Sequence, residues 1–440
     1  MHAFPFLCTT FMPLQIGSVL MQSKEYVLLL GADQYLRERA FSGAKQATDL
    51  PVWAATEDAV RKPNRTFDNM LAADPKDAES LLAAIRAHSA QGWHPRIVVP
   101  LNDWTVESAS TVNRVLGLDG LDATAVTNAR NKHAMKQAFH AAGIPTPRSQ
   151  LVRSEQELLD AVKAIGLPVV IKPYDFGGSG GVVLATTREE AVAGLAESKA
   201  VIAKYRSAFD IRGDKYLVER FVDSDDEVSL EVLCGRGRAH VLAVTEKYLS
   251  SRPWFAEIAH LVPSHRTEDP MLTDLATRAC AALGIDRGLA HVEIKFAGDG
   301  TPWVIEVAAR PGGDGIMDQV ERACSINPYW LHVGSYLGSD LFDVAGGAKP
   351  TKTSAIAFLK APPGRIKDVL DGKPLPPEVR SINISAKPGD RSHAAKNWST
   401  REGLIELEWD ELFGEKTSLP VTIAKEISEQ VFVIEDAVGE

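Results

Sequence analysis

The sequence predicts an α/β fold that passes to α+β in its central part, and three observations carry that expectation. Up to about Thr127, apolar strands alternate with helix-like stretches, as in a small parallel sheet flanked by helices. From about residue 168, strands follow one another through short glycine-bearing connections, as antiparallel strands do. Between the two, a helix from about Lys132 is stopped by Gly143 and Pro145, which sets a domain boundary near residue 128.

The first strand, "YVLLLGAD" (Tyr26 to Asp33), ends in a turn and is followed by the helix-like "QYLRERAFSGAKQA". The helical "AESLLAAIRAHSA" precedes a second apolar run, "RIVVPLND" (Arg96 to Asp103). The first turn is not GxGxxG, so the dinucleotide fingerprint is missing. "LPVVIKPYDFGGSGGVVLATTREEA" reads as strand, glycine loop, strand, helix, and "YLVERFVDSDDEVSLEVLCGRGRAHVLAVTEKY" as three strands. "DPMLTDLATRACAALGI" is an amphipathic helix, and a hairpin of "LAHVEIKF" and "PWVIEVAA" follows it. "KPTKTSAIAFLKAPPGRI" opens a proline-rich C-terminal region in which "TREGLIELEWD" is a short strand. The units expected are an extension over 1–24, an α/β domain over 25–127, and a central domain over 128–345. The central domain carries a glycine-loop subdomain at about 168–246, and a C-terminal subdomain over 346–440 completes the chain.

Composition narrows the function. A formal net charge of -10 argues against nucleic-acid binding, because a phosphate backbone recruits basic surfaces. Cys8, Cys234, Cys280 and Cys324 form no CxxC or Cys/His metal pattern, which suits a reducing cytoplasm. The first two dozen residues lack a basic leading segment and contain two prolines. They are expected to be a disordered or misassigned start, with Met21 as an alternative initiator, rather than a signal peptide. No apolar run is long enough to span a membrane.

The hairpin carries the first chemical signal. If Asp299 and Gly300 form a two-residue type I′ turn, Gly298 pairs with Thr301. Counting outward puts Glu293 opposite Glu306, with Cβ atoms roughly 5 Å apart, and His291 opposite Ala308. Two carboxylates so close need a proton or a cation between them. Bound magnesium answers that need; a solvent-facing pair screened by Lys295 is the other reading. Arg310 follows on the same face, before "PGGDG".

In "VVIKPYDFGGSGGVV", Lys172 ends a buried strand, and Gly177, Gly178, Gly180 and Gly181 surround Ser179. Such a loop can turn backbone N–H groups toward phosphate oxygens, although a mobile surface loop reads the same way. It is not a Walker A sequence, since no Lys-Ser/Thr pair follows the glycines. In "YLVERFVDSDDEVSLEVL", Glu219 leads into a connection whose backbone could bond an adenine edge, and Glu227 could accept from ribose hydroxyls.

The order of these pieces resembles the ATP-grasp superfamily over about residues 128–340. The resemblance implies an ATP-grasp fold with a Rossmann-like N-terminal domain and a C-terminal extension. It implies that Lys132 and Lys172 hold the α- and β-phosphates under the Gly177–Gly181 loop with Ser179. It assigns adenine to Glu219 and the backbone near Phe221 and Val222, ribose to Glu227, and magnesium to Glu293 and Glu306. Many members have Glu-x-Asn where this chain has Glu306, Val307 and Ala308. "WFAEIAH" offers Glu257 and His260 as replacement ligands, although His260 also reads as a structural histidine. That pair, the 13-residue separation of the glutamates and "ARPGGDG" look most like bacterial L-amino acid ligases. There Arg310, Gly312, Gly313 and Asp314 would receive the substrate; Asp314 also reads as an N-cap for the helix near Ile316.

The expected activity is ATP-dependent ligation of a carboxylate to an amine through an acyl phosphate, using magnesium or manganese, with Arg310, Lys172 and Ser179 as the catalytic residues. Two alternatives stand beside it: a purine-pathway or carboxylating enzyme using formate or bicarbonate, and a non-catalytic nucleotide-binding module. The expected partners are small molecules, amino acids first, with no nucleic acid or membrane. A homodimer is left open, and the expected location is the cytoplasm.

Overall fold

The computed structural model describes residues 24–435, apart from 33, 34, 38, 58–66, 210, 212 and 371–373. The extension 1–24, with Cys8 and Met21, lies outside the described residues except for Lys24, and so does Asp33.

Strands β1 (Lys24–Leu30), β2 (Val52–Thr56), β3 (Asn69–Ala72) and β4 (Trp93–Pro100) form a parallel sheet in the order β3-β2-β1-β4. Helices α1 (Arg39–Ala47), α2 (Ala78–Ser89) and α3 (Asp103–Leu116) connect or follow them. From Tyr26 onward in β1, and throughout β2, every residue is buried without alternation because parallel strands are covered on both faces. A 3₁₀ turn, Tyr35–Arg37, precedes α1. Asn102 sits just before α3 without a side-chain cap bond.

Helices α4 (Ala123–Arg130) and α5 (Lys132–Ala141) meet at Asn131, whose carboxamide accepts from His133 and Ala134 N–H and so starts α5 at Lys132. A second sheet follows: β5 (Ser149–Val152), β6 (Val169–Pro173), β7 (Val183–Ala185) and β8 (Tyr216–Arg220), in the order β5-β8-β6-β7. Helices α6 (Glu155–Ile165) and α7 (Arg188–Phe209) pack on it. The sheet that carries the glycine loop thus runs from β5 to β8, beside an expected subdomain of about 168–246.

The central sheet is antiparallel. It contains β9 (Glu227–Gly235), β10 (Arg238–Leu249), β11 (Glu257–Val262), β12 (Arg287–Phe296), β13 (Pro302–Ala308) and β14 (Thr353–Leu359). β15 (Gly364–Val369), β17 (Arg391–Ser392) and β19 (Phe432–Ile434) form a small sheet of their own. β16 (Val379–Ile384) and β18 (Gly403–Trp409) rejoin the central one, in the order β13-β12-β9-β10-β11-β14-β18-β16. Residues 346–440 are therefore not a separate sheet: three of their strands lengthen the central one, under α12 (Leu419–Val431). Helices α8 (Pro270–Leu283), α9 (Ile316–Cys324), α10 (Pro328–Tyr336) and α11 (Phe342–Gly347) complete the chain.

Val228, Leu230 and Val232 of β9 share a core with Leu272, Leu275 and Leu283 of α8. The alternate residues Glu227, Ser229 and Glu231 fall on the opposite face, as a strand's period of two requires. All nine residues of β9 are buried, so a polar face is enclosed between the central sheet and what lies over it. Among the described residues no helix is long and apolar enough to cross a membrane.

Candidate active site

Cross-strand pairing arranges this polar face in rows. Lys295, Glu227, Lys247 and His260 are successive partners across β12, β9, β10 and β11. A second row runs Glu306, Glu293, Ser229, Thr245, and a third runs Ala308, His291, Glu231. Glu293 and Glu306 are thus direct partners, as expected, but not by the expected turn. Ala297 C=O accepts from Gly300 N–H and Ala297 N–H donates to Thr301 C=O, so Gly298, Asp299 and Gly300 form a three-residue loop. Gly300 has φ +82°, while Asp299 is not left-handed as a type I′ turn requires. That loop alone would shift the register by one residue. A bulge at Ile305 restores it, because Ile294 pairs with Val304 while Glu293 pairs with Glu306.

A second bulge does comparable work on β11. Tyr248 pairs with Ala259 but Leu249 pairs with Glu257, leaving Ile258 as the extra residue. Three positions apart on a regular strand, Glu257 and His260 would face opposite sides; the bulge turns both inward. A third, at Leu242, puts Lys247 rather than Glu246 opposite Glu227.

At the glycine-loop end, each basic group already holds an acid. Lys132 Nζ lies 2.7 Å from Glu306 Oε1 and donates to the Phe176 carbonyl at 2.9 Å. Lys172 Nζ lies 2.9 Å from Glu219 Oε2. Lys136, which the sequence did not single out, is 3.4 Å from Glu219 Oε1 without a hydrogen bond, so that buried oxygen is an orphan acceptor. Burial lowers the Lys136 ammonium to about 8 despite Glu219. Lys247, also not singled out, is 2% exposed and touches Glu293 at 2.7 Å, Glu257 at 2.8 Å and Glu227 at 3.1 Å. Burial works against its charge, but the three carboxylates outweigh it and raise it well above the usual lysine value. Burial also opposes ionisation of Glu293, yet Lys247 and His291 hold it well below the carboxylate range. The acidic pair is therefore neutralised by two lysines and not only screened by Lys295, which instead approaches Glu227 at 3.4 Å.

The glycine loop closes over this end. Gly178, Ser179 and Gly181 have φ between 57° and 73°. Ser179 Oγ donates to the Phe255 carbonyl at 2.8 Å, and Phe176 is buried between Trp104 and Tyr205. A Cβ on Gly178 would lie 2.5 Å from the Trp398 ring, and one on Gly180 would strike Phe176, so neither position has room for a side chain. Phe221, Val222 and Ile305 line the same cavity as Lys132, Lys172 and Glu219.

At the other end, Glu257, His260 and Asp314 bring ligand atoms within 4.8 Å of one another, the one such three-residue group among the described residues. His260 is fully buried and neither ring nitrogen has a partner. Burial lowers its pKa to about 3. Asp314 does not cap α9: the N-cap is Gly315, and Asp314 Oδ2 instead lies 2.9 Å from Arg401 Nη2, at φ +51°. The cap reading fails because Asp314 lies one residue before the N-cap and its carboxylate is taken by Arg401. Arg310 does not stand free. Its Nε and Nη2 both bond Asp103 Oδ2, at 2.9 and 2.7 Å, and Nη1 bonds the Pro311 carbonyl. Gly312 N–H donates to Glu231 Oε2 at 3.0 Å, and a Cβ there would lie 2.6 Å from Glu231 Oε1; Gly313 faces open space. Glu231 Oε1 is 2.5 Å from His291 Nδ1; burial opposes the imidazolium, but Glu231 raises it to about 9. The two ends are one site, since Asp103, Gly177, Gly178, Glu257, Glu293 and Arg310 line both cavities.

The sequence reading missed Lys136, Lys247, Asp103, Glu231 and Arg401. Asp103 and Arg401 carried no local signal, being 207 residues from Arg310 and 87 from Asp314. Lys247 sits in an alternating strand, but counting back from the Arg236–Gly237 turn would have chosen Glu246.

Comparison with known proteins agrees with this geometry. Residues 165–318 match the ATP-grasp domain family. Alanine–anticapsin ligase of Bacillus subtilis is 27% identical over 231 residues, 48% of this chain and 48% of that protein. D-alanine–D-alanine ligase of Gloeobacter violaceus is 31% identical over 212 residues, 45% of this chain and 65% of that one. The chain spans about half the length of the first of these relatives. The crystal structure of an L-amino acid ligase from Bacillus licheniformis superposes with TM-score 0.74 at 22% identity, over 94% of this chain and 99% of that one. Phosphoribosylglycinamide synthetase from Anaerococcus prevotii gives 0.64 at 18%, over 94% and 100%. These two likenesses are of fold. The chain carries an ATP-grasp domain within an α/β architecture of that kind.

Proposed function

We propose that this protein is an ATP-dependent carboxylate–amine ligase that joins amino acids. The observation that carries the reading is the continuity of the two cavities through Arg310, Glu257 and Glu293: a glycine loop with lysines on one side, an acid–histidine pocket on the other. The relatives named as alanine–anticapsin and D-alanine–D-alanine ligases support it.

ATP would lie with its adenine amine toward the orphan Glu219 Oε1, its ribose at Glu227, and its phosphates between Lys132, Lys172 and the Gly177–Gly181 backbone. The donor set fits a hard divalent cation, magnesium or manganese: Glu293 and Glu306 would hold it, each now paired with a lysine through Oε1. Bound there, the ion would neutralise charge between the phosphates. Lys132 and Lys247 would then give up a carboxylate to the ion and could take phosphate oxygens in its place, so that the incoming negative and positive charges offset one another. A donor carboxylate oxygen attacks the γ-phosphorus as the bond to ADP breaks; an amine then attacks the carbonyl carbon and inorganic phosphate leaves. Arg310, a cation with burial opposed by Asp103, would steady the acyl phosphate. The Glu257–His260–Asp314 group would orient the amino acid or a second ion.

Incubation with ATP, magnesium and pooled amino acids, with phosphate counted and products weighed, tests this. Phosphate release that requires amino acids and yields a dipeptide mass is expected. Release that requires bicarbonate or formate instead would move the protein to the carboxylating or purine-pathway class, and no release at all would leave a nucleotide-binding module.

A further inference from the structure

Arg37 is a buried guanidinium without a counter-charge among the described residues. It is 6% exposed, its Nη1 has no hydrogen-bond partner, and among the described residues no carboxylate pairs with it. It lines the cavity of His260 and Asp314 but not the nucleotide cavity. The other arginine lining that cavity, Arg310, is bound to Asp103 through two nitrogens. Burying an unpaired cation is costly, and proteins retain one where something anionic arrives to meet it. A second orphan of the same cavity is an acceptor, Asn102 Oδ1, 7% exposed.

We infer that Arg37, carried by the N-terminal domain, anchors the free carboxylate of the acceptor amino acid. The inference rests on the ligase reading and deepens it. The donor carboxylate must reach the γ-phosphate and is consumed there, so its place is the part of the site shared by both cavities. Arg37 lies outside that part. It therefore suits the one carboxylate that survives ligation unchanged, on the amino acid that supplies the amine, and Asn102 Oδ1 suits that amine. The acceptor class is then α-amino acids with a free carboxyl group, not simple amines or amino-acid amides.

The test compares parent, Arg37→Gln and Arg37→Lys with each acceptor offered as free acid and as carboxamide. In the parent the free acid is preferred; in Arg37→Gln that preference should fall about 10- to 100-fold, the worth of one charge-assisted hydrogen-bonded pair. Arg37→Lys should recover part of it. The change should reside in KM for the acceptor, and donor amides should show no such shift. Without substrates, Arg37→Gln should melt at the same temperature as the parent or higher, since it removes an unpaired buried charge. An acid-to-amide preference equal in parent and variant, or a shift that follows the donor, overturns the inference. So does a melting temperature several degrees lower, which would mark Arg37 as structural. Thermal stabilisation of the parent and Arg37→Gln by free amino acid against its amide repeats the comparison without turnover, so loss of the ligase reading and loss of the Arg37 site are told apart.

Discussion

The glycine-loop end and the Glu257–His260–Asp314 end of this site differ in how fully their polar groups are matched. At the glycine-loop end the positive charges are paired off, Lys132 with Glu306, Lys172 with Glu219 and Lys247 with three carboxylates, and Glu219 Oε1 is left as an orphan acceptor. At the other end polar atoms stand unmatched: Arg37 Nη1, Asn102 Oδ1 and both nitrogens of His260. A paired site can exchange partners when phosphates and a cation arrive together, keeping its net charge low throughout. An unmatched site is completed only by the ligand's own polar groups, which makes it selective rather than tolerant. The ends also differ in origin. The glycine-loop cavity is lined by Asp103 and by residues between Lys132 and Arg310, whereas the other also draws on Arg37, Asn102, Asp314 and Trp398.

The largest effect that would break this comparison is on turnover. Glu306→Gln should fold and lose phosphate release by at least about 1000-fold, because an amide neither pairs with Lys132 nor shares a cation with Glu293. Near-normal release from a well-folded variant would remove the metal assignment.

Lys247→Met should cost about 3–5 kcal/mol, since it leaves three buried carboxylates without their common cation. Urea unfolding reads this directly, and a loss under about 1 kcal/mol would mean that the paired end does not depend on its pairing.

Acid stability isolates a buried histidine outside both cavities, His332. His332 accepts from Leu289 N–H and faces the Pro100 carbonyl, and burial lowers its pKa to about 4. Because the folded value lies below the unfolded one, the folded state binds fewer protons between them. Stability is full above about 6.5 and falls as pH drops toward 4, by about 1.4 kcal/mol per unit for this one group. His332→Gln should flatten that slope in urea melts between pH 6.5 and 4; an unchanged slope would assign acid sensitivity elsewhere.

Smaller again is Asp314→Asn. As half of a part-buried pair with Arg401 it should cost about 1–3 kcal/mol and alter amino-acid selectivity, whereas a capping residue would have tolerated asparagine. Gly312→Ala and Gly313→Ala close the series. The first places a Cβ 2.6 Å from Glu231 and should lower the melting temperature; the second meets nothing within 4 Å and should change it little.

The sequence by itself picked out Lys132, Lys172, the glycine loop and the Glu293–Glu306 pair, because a lysine at a strand's end before a glycine loop, a lysine opening a helix, and paired glutamates on a hairpin are local patterns; it did not pick out Lys136 or Lys247. It even paired Glu293 with Glu306 through a turn that does not form, because the longer Gly298–Gly300 loop and the bulge at Ile305 cancel. Only the tertiary structure decided which further groups join these candidates, and how the side chains of β10 and β11 face. Bulges at Ile258 and Leu242 reverse which side chains face inward, and strand periodicity gives no sign of an inserted residue. Asp103 reached Arg310, and Arg401 reached Asp314, through packing between segments far apart in the chain. Charges that meet only after the sheets have closed obey no spacing rule, so their partners could be read only from the fold.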